Sequence, residues 1–144
     1  MKIALASDHG GFELKNRIAE YLRSTGIEVS DLGTYSEEAA DYPVWAKKCA
    51  EAVMNGEADK GIVFCGTGVG VSIAANKVKG ARCALVTSKF MAEMAAAHNQ
   101  ANMLALGGRT TSFEDATLYV DTWIATPPDL AERHVRRVAM LDAM

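Results

Sequence analysis

Gly61-Ile-Val-Phe-Cys-Gly-Thr-Gly-Val-Gly70, followed by Ser72-Ile-Ala-Ala-Asn-Lys77, is the stretch that decides the fold. A short apolar run ends in a cysteine, a glycine-rich loop follows, and a helix-like segment takes over. This is how strand, turn and helix succeed one another in an α/β protein. Gly66, Gly68 and Gly70 let backbone N–H groups approach a ligand, and a helix N-terminus adds partial positive charge at the same place. The arrangement suits an anion and predicts that Cys65 is held partly as thiolate. The loop is neither G-x-x-x-x-G-K-[ST] nor a clear G-x-G-x-x-G, and it follows the third strand, so nucleotide binding is not supported. Taken alone, the loop is equally well a tight turn that needs glycine or a nest of N–H donors for an oxyanion or phosphate.

The same succession repeats outward in both directions. Lys2 to Ser7 reads as a strand, and Phe12 to Thr25 as a helix with Leu14, Ile18, Tyr21 and Leu22 on one stripe, ended by Gly26. Ile27-Glu-Val29 is a short strand, and Asp31 to Asp41 a polar loop. Pro43 opens a helix that runs to about Asn55-Gly56. Beyond the glycine loop, Ala81 to Val86 is the fourth strand, and Ser88 caps a helix over Phe90 to His98. Met103 to Leu106 is the fifth strand, and Ser112 caps a helix to about Ala125. Pro127-Pro128 breaks it, and Asp129 to Met144 forms a last helix. Apolar strands without polar alternation, separated by helices, imply a parallel sheet covered on both faces. Residues 1–144 read as one domain.

Composition narrows the function. The chain is 49% hydrophobic and 23% charged, as in soluble globular proteins, and its net charge of −3 offers no general attraction to nucleic acid or membrane. No segment approaches the roughly 20 consecutive apolar residues of a membrane span. Met1-Lys2 leads into Ile3-Ala-Leu-Ala6, too short for a signal peptide, so a cytoplasmic protein is expected. Cys49, Cys65 and Cys83 are odd in number and lack C-x-x-C spacing. That argues against both a disulfide framework and a zinc site, and no metal or cofactor is expected. Cys49 and Cys83 read as small buried hydrophobes.

Ligands of such sheets sit beyond the carboxyl ends of the strands. Asp8-His9-Gly10-Gly11, Cys65 to Gly70, Thr87-Ser88 and Gly107-Gly-Arg109 fall there. Asp8-His9 is either a cap or turn, or a pair that binds sugar hydroxyls. Thr67 is a turn hydroxyl or a proton relay between substrate oxygens. His98-Asn99 ends the fourth helix, where a histidine is favourable for structural reasons and can also serve as a general acid or base. Arg133 and Arg137, four apart, share one face of the last helix. They form a solvated basic face or, with Arg109, an anion clamp.

Together, Asp8-His9-Gly10-Gly11, Asp41-Tyr42-Pro43, Cys65 to Gly70, Ala74-Ala-Asn-Lys77, His98-Asn99, Gly107-Gly-Arg109 and Arg133-His134 with Arg137 resemble the family of ribose-5-phosphate isomerase B and the galactose- and allose-6-phosphate isomerases. The likeness spans almost the whole chain, with its motifs in order. It implies a Rossmann-like three-layer α/β sandwich with a five-stranded parallel sheet. It also implies metal-free aldose–ketose isomerisation, and active sites shared between the chains of a homodimer or tetramer. By that resemblance Cys65 takes the proton from C2 of an open-chain sugar phosphate, and Thr67 helps move a proton between O1 and O2. Backbone N–H groups of Gly66, Thr67, Gly68, Val69 and Gly70 stabilise the enediolate. His98 opens the ring, Asp8, Tyr42 and Asn99 assist with hydroxyls, and His9, Arg109, Arg133 and Arg137 bind phosphate. One branch of the family places a glutamate base just past the loop; Val71 stands there in this chain, leaving Cys65 as the base. Ribose 5-phosphate is the leading substrate, with a six-carbon sugar phosphate second. A non-catalytic sugar-phosphate-binding protein, third, would not need the thiol.

Overall fold

Lys2–Ser7, Glu28–Asp31, Lys60–Cys65, Cys83–Leu85 and Met103–Gly107 form strands β1 to β5 in the computed structural model, which describes residues 1–144. The helices are α1 (Phe12–Ser24), α2 (Tyr42–Met54), α3 (Val69–Ala75), α4 (Lys89–Ala97), α5 (Phe113–Ala125) and α6 (Glu132–Asp142). All strand pairs are parallel, in the order β2-β1-β3-β5-β4. The architecture is the three-layer α/β arrangement that the sequence predicts.

Local chemistry explains most element ends. The Ser88 and Ser112 hydroxyls accept from the N–H groups of Met91 and Asp115, each at 3.1 Å, and so cap α4 and α5. Helix α1 stops at Gly26, where φ is +88°: the Gly26 N–H donates to the Arg23 carbonyl and the Ile27 N–H to that of Leu22, both at 3.1 Å. This is the paired closure that glycine permits at a helix end.

Four boundaries differ from expectation. Asp31 belongs to β2, paired with Leu5, and does not open the loop. Helix α3 starts at Val69 rather than Ser72, because Gly68 completes the turn alone with φ +80°. Strand β4 is only Cys83–Leu85, bonded on one side to β5. Residues 129–131 form a turn before α6, in which Asp129 Oδ1 accepts the Ala131 N–H at 3.0 Å. A short 3-10 turn, His9–Gly11, also follows β1.

The strands divide their side chains by size. Ile3, Leu5, Ile62, Phe64, Leu104 and Leu106 face α1, α4 and α5, where Leu14, Ile18, Leu22 and Trp123 fill the layer. Ala4, Ala6, Val63, Cys65, Met103 and Ala105 face α2 and α3, which answer with Ala46, Cys49, Ala50, Val71 and Ala75. Small residues on both sides bring the second layer close, because close packing leaves no voids. Cys65 lies in that thin layer.

One charged group is wholly inside. Lys15 on α1 has no exposed side-chain surface, and its Nζ donates to both oxygens of Asp31 at 2.7 and 2.8 Å. Asp31 Oδ1 also accepts the Gly33 N–H at 2.9 Å. The pair thereby fixes the chain beyond β2, where Gly33 and Thr34 bond to the Ser7 backbone. Replacing Lys15 by Met strands the carboxylate. The expected loss is about 3 kcal/mol, the lower end for breaking a buried pair, since Asp31 keeps a quarter of its side chain exposed. Chemical denaturation measures it, and adding Asp31→Asn to Lys15→Met should restore most of the loss. Equal stability of Lys15→Met and the parent chain would show that the pair holds nothing.

Candidate active site

The strand order reverses between β1 and β3, and the loops leaving their carboxyl ends meet there. The Asp8 N–H donates to the Phe64 carbonyl at 3.2 Å. The Gly108 and Arg109 N–H groups donate to the Cys65 and Gly66 carbonyls at 2.8 and 2.9 Å. Segments 8–11, 65–70 and 107–109 are thus bound into one edge. Cys65 is 6% exposed, and its Sγ accepts the Gly68 N–H at 3.2 Å. The backbone N–H groups of Gly66, Thr67 and Gly70 have no protein acceptor. They are the orphan donors expected where a loop enters a helix.

Side chains close in around this loop. Arg109 lies over Gly66 so closely that a Cβ there would stand 2.8 Å from Nη1 and push the guanidinium aside. The Tyr42 ring, at the start of α2, lies against Gly70. Asp8 is buried, with Oδ1 accepting the Gly11 N–H at 3.2 Å. Thr67 is exposed, and its Oγ1 accepts the Val69 N–H at 3.3 Å, leaving the hydroxyl proton free. His9 Nδ1 accepts the Ala40 N–H at 3.2 Å, so Nε2 carries the proton of the neutral ring. His9 and Arg109 line one cavity of about 390 Å³ with Arg17 and Ser112.

The remaining predicted residues lie elsewhere. Helix α4 runs back from the carboxyl edge, so His98, at its C-terminus, sits at the amino edge, where β4 and β5 begin. Arg82, just before β4, donates to the Asn99 and Gln100 carbonyls and pairs with Asp142 of α6. The Asp129 N–H donates to the Ala97 carbonyl at 2.8 Å, which brings α6, with Arg133 and Arg137, to the same edge. Strand β3 has six residues, so the two edges are separated by roughly 20 Å. Within one chain, therefore, Cys65 and Thr67 are not assembled with His98.

At the amino edge the fold forms a group that sequence spacing does not reveal. The His98 and His134 rings stack at 4.1 Å between centroids, 13° from parallel. Asp129 Oδ2 lies 3.5 Å from His134 Nε2. His98, Asp129 and His134 present ligand-capable atoms within 4.8 Å of one another. They come from three segments, so no local motif marks them. Cys49 is buried as expected, whereas Cys83 is only half-buried, packed against the α2 and α3 layer. Burial pushes the Cys49 thiol up to about 12 and raises that of Cys83 as well, so both stay protonated. No helix is long and apolar enough to cross a membrane.

A Rossmann-like sheet with an anion-ready loop at its switch point defines a class of α/β proteins that bind small ligands beyond the strand ends. Within that class, the chain belongs to the Ribose/Galactose Isomerase family, whose profile matches residues 3–141. It is 44% identical over 143 residues to ribose-5-phosphate isomerase B of Escherichia coli (strain K12), covering 99% of this chain and 95% of that protein. The structure of Clostridium thermocellum ribose-5-phosphate isomerase B superposes with a TM-score of 0.97 at 50% identity, covering 99% and 96% of the two chains. That of Mycoplasma genitalium ribose-5-phosphate isomerase B with bound ribulose-5-phosphate superposes with a TM-score of 0.93 at 40% identity, covering 99% and 94%.

The imidazole of His134 is held below its ordinary 6.5, first by desolvation and then by the positive charges of His98 and Arg133. The Ala131 N–H, the first cause, holds Asp129 below 3.8, so Asp129 stays charged near neutrality. In the unfolded chain His134 takes up its proton first as the pH falls. Folding is therefore undisturbed by this group above about pH 6.5 and loses stability as the pH drops from there towards the folded value. The melting temperature should fall between about pH 7 and pH 5, and His134→Gln should flatten that decline. Parallel pH profiles for the two proteins would contradict a neutral His134.

Proposed function

We propose that the protein is a ribose-5-phosphate isomerase, converting ribose 5-phosphate and ribulose 5-phosphate into one another through an enediolate. The observation that carries this is Cys65 at the end of β3 beside unpartnered N–H donors, in a chain of this family. The thiolate of Cys65 removes the proton from C2 of the open-chain aldose and returns it to C1. Thr67, with its free hydroxyl proton, moves the other proton from O2 to O1. A proton next to a carbonyl is weakly acidic, so the base alone is insufficient. Charge developing on oxygen must meet preorganised donors, each typically worth about 10²–10³ in rate. The N–H groups of Gly66, Thr67 and Gly70 are free to provide them, with Gly68 and Val69 shaping the turn. Asp8 and Tyr42 flank the loop and hold substrate hydroxyls. His9 and Arg109 face the phosphate.

The other half of the machinery comes from a second copy. His98 opens the furanose ring, Asn99 holds a hydroxyl, and Arg133 and Arg137 complete the phosphate clamp, all reaching in from the partner's amino edge. Three features support this. The two half-sites lie at opposite ends of the sheet. Arg109, Arg133 and Arg137 form no ion pair within the chain. Apolar residues are left exposed beside both halves: Val69 and Ile73 on α3, and Val135, Met140 and Leu141 on α6. Helix α6 buries only His134 and Val138 against its own chain. A twofold homodimer pairs these surfaces reciprocally and gives two composite sites. The chain thus acts as one cytoplasmic sugar-phosphate isomerase domain whose C-terminal helix packs on its partner.

A panel of aldose and ketose phosphates, ranked by kcat/KM, tests the substrate, and ribose 5-phosphate should lead. A six-carbon sugar phosphate in first place would move the protein to the other branch of its family. Cys65→Ala should lower kcat at least 10²-fold while the fold persists, as expected for loss of an acid–base group. A variant keeping more than about a tenth of kcat would mean another base.

Mixing Cys65→Ala with Arg137→Ala chains tests the shared site. Each mixed dimer carries one intact and one doubly damaged site, so equal mixing with full exchange should recover about a quarter of parental activity. No recovery after verified exchange would place both residues in one chain.

A further inference from the structure

His134 is 6% exposed, and its Nε2 is buried without a hydrogen-bond partner. Asp129 Oδ2, at 3.5 Å, makes no hydrogen bond with it. Buried polar atoms almost always find a partner. An orphaned imidazole nitrogen beside a carboxylate and a stacked second histidine indicates a ligand that would complete the set. We propose that His98, Asp129 and His134 form a binding site for a divalent transition-metal ion of the zinc class.

The donor set fits that class. Two imidazole nitrogens and one carboxylate oxygen suit zinc, cobalt or nickel and leave a position open. Magnesium and calcium prefer oxygen ligands throughout and would find only one carboxylate. Ligand-capable atoms within 4.8 Å of one another are near enough for one ion to bridge after small side-chain rotations. Stacked rings point their lone pairs in parallel, so one ring must turn, and His98 is the half-exposed one, at the end of α4.

The support around the ligands is already in place. Asp129 is fixed by its N–H bond to the Ala97 carbonyl and by the Ala131 N–H on Oδ1, which leaves Oδ2 for the ion. Arg133 and Arg137 oppose a cation here, so affinity will be moderate and will rise when an anion neutralises them.

An ion held at this site takes the lone pair that His98 needs for ring opening, so occupancy should inhibit turnover of cyclic aldose. That consequence rests on the role proposed above for His98; the site itself does not.

Cobalt(II) titration of the metal-stripped full-length protein, followed by visible absorption, tests the proposal, because cobalt reports its ligands. The expected result is one ion per chain, with ligand-field bands and no thiolate charge-transfer band. His134→Gln and Asp129→Asn should each weaken binding at least about tenfold, the least expected of a ligand if supporting groups alone cost 10–100-fold. Cys65→Ser should bind as the parent does. Asp129 is partly exposed, so its variant remains informative if His134→Gln fails to fold. The proposal is overturned by absence of binding, by a thiolate band lost in Cys65→Ser, or by unchanged affinity in Asp129→Asn. Binding at these residues with no effect on ring opening would sustain the site and count instead against the role of His98.

Discussion

A parallel sheet has two chemically different ends, and a crossover helix must return from one to the other before the next strand can begin. The rest of this molecule depends on that constraint. Whatever follows a strand gathers at the carboxyl edge: Asp8 and His9 after β1, Cys65 to Gly70 after β3, and Arg109 after β5. Whatever ends a helix gathers at the amino edge: His98 and Asn99 after α4, and the turn at Asp129 after α5. No side-chain rotation closes a gap of roughly 20 Å, so the two groups can meet only across a boundary between molecules.

Packing sets how the carboxyl edge is held. On the α2 and α3 face the core is built from alanines and small residues, and the layers come close. A Cβ at Gly61 would stand 2.9 Å from Val53 and 3.0 Å from the Cys49 sulfur. That closeness carries the start of α2 to the glycine loop and presses Tyr42 against Gly70. On the opposite face, large residues around Trp123 give a thicker layer, pinned by the Trp123 Nε1–H bond to the Ala101 carbonyl at 2.9 Å. The thiol therefore sits at the rim of the more tightly spaced layer, with its Sγ held by the Gly68 N–H. Preorganisation of this kind is what stabilising a developing oxyanion requires.

Much of this was readable in the residues. Serine caps at 88 and 112, glycine stops and apolar runs are local signals, and each acts within a few residues of where it is written. The loop after β3 was legible for the same reason: glycine spacing and a strand-end cysteine lie side by side. The start of α3 differs from expectation because Gly68 makes its turn alone, without the serine cap that marks α4 and α5. His134 was legible only as part of a motif beside two arginines. Its burial against His98 depends on how α6 returns to α4, and nothing near either residue records that path. Nothing local marks Lys15 on α1 as buried, and only the register of β2 shows that Asp31 awaits it.

If the two edges serve as half-sites of one active site, as proposed above, their placement also bears on inheritance. Two copies of such a gene need not both keep both halves. One chain could lose the thiol loop and the other the histidine edge, and each pair would still hold one complete site. Loss in either copy would be tolerated singly and would then lock the two chains into permanent dependence on one another. Sites shared in that way would turn strand polarity into a short route from paired identical chains to an obligate pair of unlike subunits, with no new catalytic group invented along the way.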